Sequence, residues 1–153
     1  MESIKRPMSF WIITIFLFIS LVLLLTGQTM AIINYDFAVQ LGLQEDVKDV
    51  GEYGVQLNRA FGAGDTIIYI PLIALSLIGL VLKKRWSIIT TAAVMGISAY
   101  WATTVIFMLL FFVGVPGYYL EPGLVYWLFM AVFIIFGIGG LLYLVFKGEQ
   151  LLT

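Results

Sequence analysis

The sequence predicts an all-α integral membrane protein, a bundle of four transmembrane helices with an amphipathic helix in its outer loop. Three observations predict that class. First, 62% of the 153 residues are hydrophobic and only 11% charged, with a mean hydropathy of +1.07; a soluble domain is nearer half apolar and a quarter charged. Second, four apolar stretches approach or exceed the roughly 20 residues that cross a bilayer core about 30 Å thick. Third, the basic residues concentrate on alternate connections between those stretches. Strict alternation over ten-residue units, the mark of a membrane β-barrel, is missing. The whole chain, 1–153, is therefore expected to form one membrane domain.

The first helix is expected over about 8–26 (MSFWIITIFLFISLVLLLT), which carries no charge. Its apolar run is longer than the 7–15 residues of a cleaved signal, so it reads as a membrane helix. The second is expected over about 65–82, with Pro71 inside it, leaving the Ile67 carbonyl without its donor and kinking the helix. Asp65, after Gly64, is placed as its N-cap. The third spans about 87–113 and the fourth about 122–146, the latter with Glu121 as cap and Pro122 in its first position. Pro116-Gly117 predicts a short turn joining these two as antiparallel neighbours.

Orientation follows from Lys/Arg placement. Lys5, Arg6, Lys83, Lys84, Arg85 and Lys147, six of the eight basic residues, fall on one side. The other holds Asp36, Glu45, Asp46, Asp49, Glu52, Asp65 and Glu121 against Lys48 and Arg59. Both termini are thus expected in the cytoplasm and the protein in the plasma (inner) membrane. Trp11, Trp86, Tyr118, Tyr119, Tyr126, Trp127 and Tyr143 fit interfacial belts.

The outer loop, 27–64, is long for so small a bundle. Val47, Val50, Leu57 and Phe61 share a helical face and Glu45, Asp49 and Glu52 another, predicting an amphipathic helix over about 45–61 on the outer surface or over the bundle. The acids lack the calcium-loop pattern and read as a solvated face, with Lys48 pairing to Glu45 or Glu52.

Composition excludes several chemistries. Cys 0 and His 0 remove disulfides, thiolate and imidazole metal ligands, and cysteine or serine–histidine catalysis. No metal or cofactor is expected, and no basic face suits nucleic acid. No Asp, Glu, Lys or Arg is placed centrally in a spanning segment, which disfavours ion-coupled transport.

Mild polarity remains at depth: Tyr69 in the second helix, and Tyr100, Trp101 and Thr104 in the third. Ala92, Gly96, Ala99 and Thr103 form a small-residue stripe for close helix packing, and Gly137 and Gly140 open matching room on the fourth helix. The third helix is therefore expected at the centre and the first, poor in small residues, at the periphery. In one functional reading the protein is a non-catalytic accessory or assembly subunit, contacting the bilayer and a membrane-protein partner or its own copies. In the alternative it binds or carries an apolar small molecule or lipid, in an intramembrane pocket open to the outer face. Tyr69, Tyr100, Trp101 and Thr104 would line that pocket, with Asp65, Arg59 and Glu121 at its mouth. The same polar groups also fit plain core packing, and Arg59 fits an external clasp to one of the acids. A lipid-directed enzyme using Asp65, Glu121 and Arg59 is a third class.

Overall fold

The computed structural model describes residues 6–153, so Lys5 lies outside the described residues. It is 83% helical with no strand among the described residues, and four of its helices are long and apolar enough to cross a membrane.

Helix α1 runs from Met8 to Ile33, 26 residues, seven beyond the expected end at 26. Thr26, Gln28 and Thr29 do not stop it; the helix widens into a π turn over Leu25–Thr29 and continues. It breaks at Asn34, whose side chain accepts from the Phe37 amide and caps the short α2, Tyr35–Gln40. Gly42, in the left-handed region at φ 69°, closes α2: its amide donates to the Val39 carbonyl and that of Leu43 to Ala38. This reversal sends the chain back over the helix ends.

Helix α3 runs from Val47 to Val81, 35 residues, and corrects two expectations. Asp46 caps its first turn by accepting from the Lys48 amide, and the outer helix proper follows a kink at Gly51. Beyond Gly51 the outer helix and the second long apolar helix continue as one, and Asp65 lies inside it rather than capping it. Gly64 adopts helical φ −59° and ψ −45°. Glycine permits a break without imposing one, and Gly62 lies so close to the Gln28 carbonyl of α1 that an added Cβ would stand 2.5 Å from it. The real interruption is earlier, at Gly51 (φ 66°, ψ 174°), where the chain presses on the Gly117 carbonyl. Pro71 follows a second π turn, Asp65–Tyr69, in which the Ile70 amide donates to the Asp65 carbonyl five residues back. That wider turn accommodates the proline. The π turns of α1 and α3 touch, joined by the Thr29 and Thr66 hydroxyls at 3.0 Å.

Lys83, at φ 53°, closes α3: the Lys84 amide donates to the Gly79 carbonyl and that of Lys83 to Leu80. Helix α4, Trp86–Phe112, then returns. The turn at Pro116-Gly117 forms as expected, with Gly117 at φ 86° and the Tyr118 amide donating to Val115. Helix α5, Leu124–Lys147, begins two residues later than expected. Gly123 is its N-cap and no side chain caps it, so Glu121 and Pro122 stand outside. A 3-10 turn, Gly148–Leu152, ends the chain with Leu151 buried.

Helix α4 packs against both α5 and α3. An added Cβ on Gly137 would meet the Ala99 amide at 2.7 Å and the Met95 carbonyl at 2.8 Å, so backbone crosses backbone there. Gly140 admits the Met95 side chain and Ala92 packs against the core. Gly96 has nothing within 4 Å and Thr103 is exposed, so those two lie off the contact. Helix α1 is not peripheral. Phe16 stacks on Phe136 at 4.8 Å and meets Phe133 edge-on at 5.5 Å, and Phe10, Ile13 and Leu17 are buried. Large aromatic and aliphatic side chains do there what small residues do between α4 and α5.

Candidate functional site

At the end of the molecule that carries the acidic residues, the helices leave a cavity of 620 Å³. Leu24 and Gln28 of α1 form one wall, Asn58 and Phe61 of α3 a second, and Trp101 and Val105 of α4 a third. Helix α5 closes it with Tyr126, Phe129, Met130 and Phe133. The chain reversal at Gly42 lays Leu43, Gln44 and Glu45 across its rim.

Polar groups gather at that rim. One carboxylate oxygen of Glu45 accepts from the Asn58 amide at 2.7 Å and the other from the Tyr126 hydroxyl at 3.2 Å. The Tyr35 hydroxyl donates to the Glu45 carbonyl at 2.9 Å and accepts from Asn58 at 3.0 Å. Burial raises the Tyr35 phenol above its usual value, opposed by the Asn58 hydrogen bond and helped by Glu45 and Asp46. Burial, then Glu45, pushes Tyr118 up to about 12. Both phenols therefore stay neutral donors beside the acid.

The floor is aromatic: the Trp101 ring lies 5.6 Å from Phe133 and 6.5 Å, edge-on, from Phe129. Two polar atoms of lining residues are buried without a partner, the Trp101 Nε1 donor and the Gln28 Oε1 acceptor. The Tyr118 hydroxyl is likewise unpartnered. Buried polar atoms normally find hydrogen-bond partners.

Of the residues expected to line a pocket, only Trp101 belongs to this one. Tyr69 is buried and bonds Ser98; because the Ser98 hydroxyl donates to the Val94 carbonyl, Tyr69 must donate to Ser98. Tyr100 is 72% exposed and lies with Thr104, Ala99 and Thr103 along a separate groove of 550 Å³ on the outer face of α4. A residue step of about 100° separates Tyr100 from its neighbour Trp101, and here it carries Tyr100 to the outer groove. At the expected mouth, Asp65 is buried, 6% exposed, with Oδ2 unpartnered, and does not line the cavity. Arg59 is exposed and meets Gln56 at 3.5 Å rather than an acid, and Glu121 is exposed. Lys48 pairs with Asp46 at 3.7 Å, not with Glu45 or Glu52.

Glu45, Asn58, Gln28 and Tyr126 were not singled out from the sequence as lining residues. Glu45 precedes the cap residue Asp46 and so lies off the helical face assigned to it, a signal that was present. Tyr126, one of the aromatics expected near the interface, also lines the cavity. No group of three or more His, Cys, Asp or Glu side chains that could hold a metal occurs among the described residues. Compared with known proteins, the chain matches no family model, no curated protein and no solved structure.

Proposed function

We propose that this is a multi-pass protein of the plasma (inner) membrane that binds or carries an apolar small molecule in the cavity beneath Glu45. The cavity carries the reading: 620 Å³, mostly aromatic and aliphatic walls, and polar groups gathered at the rim. Small-molecule sites have that size, about 300–1,000 Å³, and that division of labour. Arg6, Lys83, Lys84, Arg85 and Lys147 lie at the opposite end, which supports cytoplasmic termini and a cavity opening toward the outer leaflet.

Native mass spectrometry of protein extracted gently from its own membrane tests this. One reproducible small mass on the protomer is expected, lost in Trp101→Ala and retained in Tyr100→Ala, whose side chain lies outside the cavity. A bare protomer, or a mass that survives Trp101→Ala, overturns the reading.

The exposed face of α4 favours a second reading, a non-catalytic accessory or assembly role. Tyr100, Thr103 and Thr104 face outward from the middle of a spanning helix, where the bilayer offers them no hydrogen bond. A membrane-protein partner or a second copy would. In the same spectra, a stoichiometric second polypeptide or a defined homo-oligomer, lost on Tyr100→Ala, supports this role.

A further inference from the structure

The charge balance of the cavity narrows its ligand. Among the described residues, Glu45 is the one carboxylate in the lining, and no Lys or Arg lines it. The partners of its two oxygens, Asn58 and Tyr126, are neutral. The ion pairs among the described residues are Lys48–Asp46 and Arg85–Glu149, so neither engages Glu45. Arg59, on the same helix as Asn58, is turned out onto Gln56. A carboxylate has about four lone-pair sites, and two are used here. The carboxylate therefore asks for further N–H or O–H donors and for positive charge.

We infer that the ligand is a cationic amphiphile, a protonated amine on a hydrocarbon body, with its ammonium at Glu45 and its body against Trp101, Phe129 and Phe133. This rests on the cavity being a binding site and adds the chemistry of the head group. An ammonium offers three donors and a full charge to a partly desolvated acid. Tyr126, bonded to Glu45, adds a ring that attracts cations. A hydroxyl offers one neutral donor, and an anionic head meets Glu45 with like charge and finds no cation in the lining. The same apolar body is therefore held in the order amine, alcohol, carboxylate.

The test uses three probes with one chain and different heads: dodecylamine, dodecanol and dodecanoate. Each is offered to the protein in nanodiscs of zwitterionic lipid, with occupancy read by native mass spectrometry. The amine is expected to bind at least about fivefold more tightly than the alcohol, because a charged hydrogen bond exceeds a neutral one by about that much. Dodecanoate should bind least. In Glu45→Gln, which keeps an acceptor for Asn58, the amine should lose its advantage while dodecanol binds as before, showing that the cavity is intact. A double variant of the exposed acids, Asp49→Asn with Glu52→Gln, should keep the preference, which separates the site from general surface attraction. Equal or tighter binding of dodecanol or dodecanoate by the wild type overturns the head-group inference and leaves the cavity reading standing. A preference that persists in Glu45→Gln, or vanishes in the double variant, does the same. If no probe binds above the level of Trp101→Ala, the cavity reading falls as well.

Discussion

Glu45 shows how one residue changes meaning with its position. Counted with Asp49 and Glu52, it is one more acid on a wet helix face. One residue before the cap, it turns inward and becomes the common partner of Asn58, Tyr35 and Tyr126. Gly137 is decided at the same scale. A methyl group there would stand inside contact distance of the Ala99 amide and the Met95 carbonyl, and neither backbone atom can rotate away. Gly137→Ala is expected to cost about 1–3 kcal/mol. Gly139→Ala, with nothing within 4 Å, should be neutral or slightly stabilising through helix propensity. Unfolding midpoints of both variants in mild detergent check this. Equal midpoints would mean that α4 and α5 do not cross there.

At the scale of elements, the helix ends and turns carry the polar organisation. Asn34, Asp46, Gly42 and Lys83 each satisfy or redirect backbone groups that a helix leaves unpaired. Arg6 does this for two helix ends at once. Its guanidinium donates to the Leu80 and Val81 carbonyls at the end of α3 and to Leu151 in the last turn, while stacking 4.4 Å from the Phe10 ring. The Arg85–Glu149 pair beside it is exposed and contributes little. Arg6→Gln is therefore expected to lower stability by about 1–2 kcal/mol and to open the terminal turn to proteolysis, whereas Arg85→Gln should change neither. Limited digestion read by mass, beside a thermal melt, distinguishes the two. Matching digestion rates would remove Arg6 from this role.

For the whole molecule, charge separates end to end: Arg6 and the 83–85 cluster at one, Glu45, Asp46, Asp49 and Glu52 at the other. The proposed orientation is open to direct measurement because the chain has Cys 0, so any introduced cysteine is its sole label. Tyr53, 94% exposed on the outer part of α3, and Thr153 at the terminus are suitable positions. In intact cells Tyr53→Cys should react with a membrane-impermeant maleimide and Thr153→Cys only after permeabilisation. The reverse pattern would invert the topology and turn the cavity toward the cytoplasm.

The sequence by itself determined the helical class, the four apolar spans and the turn at Pro116-Gly117. Each rests on local information: the length of an apolar run, or a residue that allows few backbone angles. It also pointed to Trp101, an indole too deep for the interfacial belt. Tertiary structure decided where helices continue and which side chains meet. Gly64-Asp65 carries the mark of a helix start, yet contact with α1 at Gly62 carries the helix through it. That placed Asp65 within a long apolar helix rather than at its start. Tyr69, Tyr100, Trp101 and Thr104 looked like one set along the chain, but the rotation of each helix about its axis sent them to the core, the outer groove and the cavity. Periodicity shows which residues share a face and not which neighbour the face meets. The cavity depends on that second fact, since its walls come from five separate segments.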